Sequence, residues 1–426
     1  MSAILVIFVL GYIAIAAENL IRINKAATAL VTGVLCWTLF ALLENNVDVV
    51  NKDLSNHLAD LSQILFFLMG AMTIVELIDA HDGFEIITNR VQTLSKRKLI
   101  WIVGIITFVL SSVLNNLTTA IVMVSLVRKL VSYKKTRLLM VGIIVIAANA
   151  GGAWSPIGDV TTTMLWIGGQ ITPVNIMLKL FIPSVVCLLV PLLIVTATLK
   201  GDFQRPQQSF EIDSAFATTE TERKIVFFAG ISILLLVPLF SSLTLLPPYM
   251  GMLIGLGIIW IITEIIHNGK DDEDRKNYTV AYALRKIDTP SILFFLGILL
   301  AIAALESSGY LLQASALIDK HVPGETGKAM LIGTLSAVVD NVPLVAASMG
   351  MYDLQHYPTD DYFWEFLAYS TGTGGSMLII GSAAGVAAMG LEKIDFFWYI
   401  KKISWLALIG FLAGAAVYIL LHTLFP

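Results

Sequence analysis

Long apolar runs, separated by short polar loops, recur along the whole chain. A helix that crosses the hydrocarbon core of a membrane needs about 20 apolar residues, somewhat fewer when charged side chains at its ends extend to the headgroups. The chain contains ten runs of this kind, which predict an all-α polytopic membrane protein. The predicted spans are 2–17, 26–43, 61–79, 138–168, 175–199, 224–242, 248–266, 290–310, 363–390 and 396–424.

Two more apolar stretches, 99–131 and 329–352, differ from these spans because a polar cluster interrupts the middle of each. The clusters are the asparagine pair at 115–116 and the Asp-Asn pair at 340–341. The first half of the earlier stretch would be about 24 Å long as a helix, shorter than a hydrocarbon core of about 30 Å. Backbone that is not helical is tolerated at such depth only inside protein or beside a water-filled cavity. We therefore predict two re-entrant hairpins, each of which enters and leaves the membrane on the same side.

The two halves of the chain repeat the same order of features. Residues 110–117 match residues 335–342 at an offset of 225, and the glycines of 151–158 match those of 374–381 at an offset of 223. Each half contains five spans and one hairpin, and because five is odd the second half is predicted to be inverted. Inverted repeats with broken helices are the architecture of secondary transporters. The predicted organisation is a first repeat 1–200, a cytoplasmic linker 201–223 and a second repeat 224–426.

The positions of the basic residues predict the orientation of the chain. With the loop after the first span placed in the cytoplasm, every Lys and Arg falls on the inner side except four. Cytoplasmic loops carry such an excess of basic residues, so both termini are expected outside the cytoplasm. No targeting segment is recognised, which favours a bacterial plasma membrane. The four exceptions are Lys52, Lys179, Lys320 and Lys328.

Composition agrees with a membrane protein and argues against other classes. Apolar residues make up 57% of the chain and charged residues 14%, against about 45–50% and about 25% in soluble proteins. The formal net charge is −4, and without a basic patch in the sequence we expect no nucleic-acid partner. The two cysteines, Cys36 and Cys187, lie in separate apolar runs and predict neither a disulfide framework nor a zinc site.

Polar residues inside the predicted membrane region fall in the two hairpin tips and in two broken spans. Span 138–168 is interrupted by the stretch 149–159, which contains Gly and Pro, and span 363–390 by the stretch 370–376. Broken helices free backbone carbonyls, which together with hydroxyl, amide and carboxylate oxygens are ligands for hard cations. Asp159 and Asp340 are the main candidates, because a carboxylate in a bilayer is costly unless it is functional or paired. We expect no Lys or Arg to lie close enough to pair with either.

Each of these features has a structural alternative. The hairpin asparagines Asn116 and Asn341 also fit the role of helix caps. The glycine runs would allow close packing between helices, as small residues do in membrane proteins. The threonines after Asp159 can hydrogen-bond to their own helix. On the residues alone these alternatives stay open.

The segments 115–119 and 149–162, which read NNLTT and NAGGAWSPIGDVTT, resemble the NhaD-type sodium/proton antiporters. Their superfamily also contains arsenite, citrate and dicarboxylate carriers. The resemblance implies a homodimer in which a scaffold region supports a transport region made of both hairpins and both broken spans. It implies Na⁺ or Li⁺ and H⁺ as substrates, Na⁺ at Asp159, Asn116 and Thr162, and no cofactor. The implied site residues are Ser111, Asn115, Asn116, Asn149, Asp159, Thr161, Thr162, Ser336, Asp340, Asn341 and Ser376.

The leading function is exchange of Na⁺ or Li⁺ for H⁺, in which the two cations compete for one carboxylate. Many members of the resembled family have aspartate where this chain has Asn115, so the ion stoichiometry stays open. The alternatives are a sodium-coupled carboxylate carrier, which the two aspartates oppose by repelling an anion, and an arsenite exporter. An enzyme is not expected, because Ser376 would need a base within reach and the six histidines lie in loops or near span ends.

Overall fold

The computed structural model describes residues 2–44, 46–88, 91, 93–199, 201–202, 218–271 and 275–424. The regular structure of these residues is helical, and one isolated β-bridge joins Ser95 to Asp202. The fold class is therefore all-α, as the apolar runs predict. The predicted linker 201–223 lies largely outside the described residues.

The main helices are labelled here in chain order. They are α1 Ser2–Ala16, α2 Lys25–Leu43, α3 Val47–Ala80, α4 Lys96–Ser111, α5 Asn116–Leu130, α6 Lys134–Ala153, α7 Val160–Ile167, α8 Pro173–Thr198, α9 Glu220–Thr244, α10 Pro248–His267, α11 Thr289–Ser307, α12 Tyr310–His321, α13 Gly324–Leu335, α14 Asn341–Met351, α15 Tyr362–Gly374 and α16 Ala383–Glu392. The last, α17, is Phe396–Leu424 and includes a π-helical turn at Ile400–Ser404. Short helices lie in the connections at Glu18–Ile21, Glu85–Thr88, Lys276–Tyr278 and Val280–Lys286.

Among the described residues, eight helices are long and apolar enough to cross a membrane. These are α2, α3, α6, α8, α9, α10, α11 and α17. Seven of them overlap a predicted span each, and α6 covers only the first part of the span 138–168, whose last part is α7. The other two predicted spans contain shorter helices. The first is α1, which has 15 residues, and the span 363–390 is divided into α15 and α16. The chain is therefore a multi-pass membrane protein in which some apolar segments are interrupted helices.

At each interruption a side chain caps the helix that follows. Asn115 caps α5 and Asp340 caps α14, each by accepting a backbone N–H of the first turn. Asp159 caps α7 and Ser382 caps α16 in the same way. The first N–H groups of a helix have no partner within it, and a polar side chain at the cap satisfies one of them. The residues that interrupt the apolar segments thus also begin the next helices.

Two packed cores hold these interrupted helices in place. One core contains Cys36 of α2 and Ile298 of α11, and it extends to Val160 at the start of α7. The other core is built from α4, α6, α8, α15 and α17 and includes Ile143 and Phe366. Both α7 and α14 contribute side chains to each core. These two helices therefore lie where the two cores meet.

Candidate functional site

Asp159 is a buried carboxylate that accepts hydrogen bonds from three separate segments. It is 2% exposed and precedes α7, where its Oδ1 accepts the backbone N–H of Thr161 at 3.3 Å. Its Oδ2 accepts Nδ2 of Asn116 at 3.1 Å and Nδ2 of Asn341 at 3.2 Å. The asparagines come from the two interrupted segments α4–α5 and α13–α14, so both predicted hairpins meet at this one carboxylate.

Asn149 connects Asp159 and its asparagine partners to the second broken helix. Its Oδ1 accepts Nδ2 of Asn116 at 3.1 Å, and its Nδ2 donates to Ser376 Oγ and Ser382 Oγ, both at 2.9 Å. All of these side chains are buried. Asn116, Asn149, Asp159, Asn341 and Ser376, all predicted from the sequence, thus form one hydrogen-bonded network.

Ser382 belongs to the same network but is absent from the residues predicted for the site. It caps α16 and stands 223 positions after Asp159, the same offset that relates the two glycine runs. This offset was the signal in the sequence that could have identified it. Where Asp159 provides a carboxylate in the first half of the chain, Ser382 provides a hydroxyl in the second.

The helices α5, α7, α14 and α16 all begin at this network. A helix N-terminus carries a partial positive charge, so four of them favour a negative group at their meeting point. Among the residues that the structure describes, Asp159 is the only carboxylate whose side chain is hydrogen-bonded within the network. The network therefore combines a single formal negative charge with neutral amide and hydroxyl groups, which suits one monovalent cation or one proton.

Ser111 and Ser336 lie beside the network and bond to backbone carbonyls. Ser111 Oγ donates to Ala148 O at 2.6 Å in α6, and Ser336 Oγ donates to Thr371 O at 2.8 Å in α15. Each serine thus attaches an interrupted segment to the broken helix next to it. Their hydroxyl oxygens keep lone pairs that can accept a further contact.

The two predicted threonines occupy the first turn of α7. Thr161 provides the N–H that Asp159 accepts. The hydroxyl of Thr162 donates to Ser155 O at 2.8 Å and to Asp159 O at 3.0 Å. The expectation that these threonines can bond to their own helix is thus confirmed for Thr162, whose bonds fix the approach to α7.

Asn115 and Asp340 do not join the hydrogen-bonded network. Asn115 Oδ1 accepts Thr118 N at 2.8 Å, which is the capping alternative. Asp340 Oδ1 accepts Val342 N at 3.3 Å, and its Oδ2 lies 3.7 Å from Nζ of Lys25. The expectation that no basic residue pairs with either aspartate is therefore wrong for Asp340. Lys25 begins α2, and its long side chain reaches the carboxylate.

Other buried polar groups lie outside this network. Glu365 in α15 is buried and accepts hydrogen bonds from Asn175 and from Tyr418, the latter at 2.6 Å. Its position inside the predicted span 363–390 is the feature of the sequence that could have identified it. Two of the histidines that lie near span ends, His81 and His267, are buried, and their Nε2 atoms are 2.9 Å apart.

The carboxylate, amide and hydroxyl oxygens of the network are typical ligands for a small hard cation. Among the described residues no three His, Cys, Asp or Glu side chains come together as metal ligands. The hydroxyl of Ser376 accepts a hydrogen bond from the side-chain amide of Asn149. Rotation of the Asn116 side-chain amide by half a turn would exchange the positions of its Oδ1 and Nδ2. The Oδ1 atom, which can bind a cation, would then point where Nδ2 points now.

Comparison with known proteins identifies similar transporters. A family model described as "Citrate transporter" matches residues 5–368. "Sodium/proton antiporter 1" of Arabidopsis thaliana is 48% identical over 99% of this chain and 73% of its own length. "Sodium/proton antiporter 2" of the same plant is 46% identical over 99% of both chains. "Na(+)/H(+) antiporter NhaD" of Vibrio cholerae is 29% identical over 99% of this chain and 91% of its own length.

Proposed function

The chain belongs to the citrate transporter family, with the NhaD-type sodium/proton antiporters as relatives, and we propose that it exchanges Na⁺ or Li⁺ for H⁺ by alternating access. The observation that carries this proposal is the buried carboxylate of Asp159, which is held by Asn116 and Asn341. One carboxylate in such a network binds a cation or a proton but not both. Competition between Na⁺ and H⁺ for this single site produces exchange under one condition. The transport region must change its side of access when the site holds either ion, and not when the site is empty and charged.

The chemistry at Asp159 follows from its surroundings. Removing water from a carboxylate disfavours the charged form unless a cation, a proton or hydrogen-bond donors compensate. Na⁺ would bind Asp159 together with oxygens of Asn116 and Thr162, and the helix N-termini would stabilise the carboxylate between cargoes. Ser376, Asn149 and Asn341 would complete the polar lining. Arrival of a proton would release the sodium.

The charge of the site argues against an anionic substrate. The helix N-termini at the network carry only partial positive charges and already face the carboxylate of Asp159, which would repel the anionic cargo of a citrate or dicarboxylate carrier. Lys25, which reaches the tip of the second interrupted segment, is already paired with Asp340. We therefore favour cation exchange over a sodium-coupled carboxylate carrier and over an arsenite exporter.

For the architecture we propose two inverted repeats, each with five membrane helices and one re-entrant hairpin. Contacts related by the sequence offsets support this proposal. The bond from Ser111 to Ala148 has its counterpart, 225 and 223 positions later, in the bond from Ser336 to Thr371. Such repeats place the binding site near the membrane midplane, where broken helices end.

The proposed arrangement has both termini outside the cytoplasm and two copies of the chain in a homodimer. Within each copy, α4–α7 and α13–α16 would form the transport region and would move against a scaffold that includes α2, α3 and α11. We propose a bacterial plasma membrane as the location. The NhaD relatives come from bacteria, and relatives at higher identity come from a plant.

The test uses everted membrane vesicles with an established proton gradient and a pH-sensitive dye. Addition of Na⁺ or Li⁺ is expected to dequench the dye, and Asp159→Asn is expected to reduce this response to that of vesicles without the protein. Asp48→Asn, which removes an exposed carboxylate at the start of α3, is the matched control with a native response. Normal exchange by Asp159→Asn, or saturable uptake of labelled citrate without a cation response, would overturn the proposal.

A further inference from the structure

Lys25 and Asp340 form an ion pair between helix α2 and the tip of the second interrupted segment. Nζ of Lys25 is 3.7 Å from Oδ2 of Asp340, and the two side chains are only 24% and 18% exposed. Lys25 is the first residue of α2, and Asp340 precedes α14. Cation exchange at Asp159 does not by itself require a lysine at this place. The pair therefore calls for an explanation of its own.

The charge of Asp340 is not needed for the helix cap. Asn115 stands 225 positions earlier, at the same place in the first interrupted segment. It caps α5 through the N–H of Thr118 at 2.8 Å, as Asp340 caps α14 through the N–H of Val342 at 3.3 Å. Asn and Asp are about equally good caps. The negative charge at position 340 thus serves a contact other than the cap, and that contact is the ion pair with Lys25.

The surroundings of Lys25 direct its ammonium group toward Asp340. Asn24 caps α2 by accepting an N–H of its first turn at 2.8 Å, and Glu18 accepts the backbone N–H of Lys25 at 3.1 Å. The ammonium group lies 4.4 Å from the ring centroid of Phe294 in α11, where the face of an aromatic ring attracts a cation. The start of α2 and the lysine side chain are therefore both held in position.

We propose that Lys25 is a built-in counter-cation for Asp340 and a positioning residue for the exchange, so that Na⁺ and H⁺ are exchanged at Asp159 alone. This inference rests on the proposed function. Asn341, the residue next to Asp340, donates to Asp159 Oδ2 at 3.2 Å, so the two aspartates lie in neighbouring positions at the meeting point of the helices. Pairing with Lys25 reduces the repulsion between the two aspartates and keeps Asp340 from binding the cargo. In this conformation it also links the second interrupted segment to α2, which packs against α1 and α11.

The test neutralises each partner and then both. Either single substitution, Lys25→Met or Asp340→Asn, leaves a half-buried charge without its partner, which is more harmful than removing both charges. Each is expected to lower the initial rate of Na⁺-dependent proton movement about tenfold, and the double variant to recover it to within about threefold of the native rate. Asn at position 340 keeps the cap, as Asn115 does on α5. The control Lys52→Met, which removes an exposed lysine on α3, is expected to leave the rate unchanged.

Melting temperatures of the purified variants give a second readout that does not depend on transport. Both single variants are expected to melt below the native protein, and the double variant to recover. A double variant that melts like the native protein but transports no better than Asp340→Asn would make Asp340 a cargo ligand and overturn the proposal. Native behaviour of Lys25→Met, or a double variant without recovery in melting, would overturn it as well. If the native protein exchanges no cation, the proposed function fails while the melting series still tests the pair.

Discussion

Asn115 and Asn116 are adjacent in the chain, but their side chains make different contacts. Asn115 accepts the N–H of Thr118 and caps α5. Asn116 donates to Asn149 and to Asp159. Neighbouring residues of a helix point in directions about 100° apart, so only one of the two can face a given partner. Of these two asparagines, Asn116 is therefore the one whose side chain contacts Asp159.

Replacing Asn116 with Ala is expected to lower the apparent affinity for Na⁺ about tenfold, because the change removes a contact of Asp159 and an oxygen that would bind the cation. Asn115→Ala is the matched neighbour. It is expected to lower the free energy of unfolding by about 1 kcal/mol through loss of the cap and to keep the native affinity. Dye dequenching titrated with Na⁺ measures the affinity, and thermal unfolding measures the stability. An equal loss of affinity in both variants would contradict the different roles.

The residues of the network could be predicted because polar side chains interrupt long apolar runs there. Asn149, Asp159 and Ser376 have few reasons to lie in such runs unless they contact one another or a substrate. The pairing of Lys25 with Asp340 could not be predicted. A basic residue at the beginning of a span normally faces water, and the pattern of one helix does not reveal which distant side chain lies within reach.

At the scale of helices, the broken helices pack very closely on the interrupted segments beside them. A Cβ atom at Gly151 in α6 would overlap the carbonyl of Phe108 in α4. A Cβ atom at Gly374 in α15 would overlap the carbonyl of Gly333 in α13. In both cases the obstacle is backbone, which cannot give way unless a whole helix shifts. The glycine runs therefore allow the close helix packing that was the structural alternative for them, in addition to lying next to the network.

Gly151→Ala and Gly374→Ala are each expected to destabilise the protein by roughly 1–3 kcal/mol, because the added methyl group forces two helices apart. Gly390→Ala is the matched control, since a Cβ atom there meets nothing within 4 Å. In the interior of α16 alanine should be neutral or stabilising by up to about 1 kcal/mol. The melting temperature and the yield of monodisperse protein in detergent measure these effects. Native stability of Gly151→Ala would show that the helices are not packed this closely.

The sequence located the breaks in the helices more accurately than it located their ends. The predicted interruption at 370–376 begins too early, because α15 continues to Gly374. The hydroxyl groups of Thr371 and Thr373 bond to carbonyls one turn earlier, both at 2.6 Å. Polar residues that bond to their own helix remain helical, and a pattern of polar residues does not distinguish them from residues that end it.

For the molecule as a whole, a cavity of about 370 Å³ lies where the two cores meet. Residues of α3, α7, α11 and α14 line this cavity. Because α7 and α14 both begin at the Asp159 network, their far ends border the cavity, and Met164 lines its wall. Val160, packed in the apolar core, lies between Asp159 and Met164 on the same helix. In the proposed orientation this cavity faces the outside of the cell.

The cavity walls belong to the proposed scaffold and to the proposed transport region, so their separation should change during transport. Cysteines introduced at Gln63 in α3 or Met349 in α14 are expected to react with a membrane-impermeant maleimide from outside, with a rate that Na⁺ changes about twofold or more. Ser55→Cys, exposed on α3, is the control whose rate Na⁺ leaves unchanged, and the two native cysteines are buried. Asp159→Asn should abolish the effect of Na⁺. Labelling only from the cytoplasmic side would reverse the orientation, and equal rates with and without Na⁺ would exclude motion between these walls.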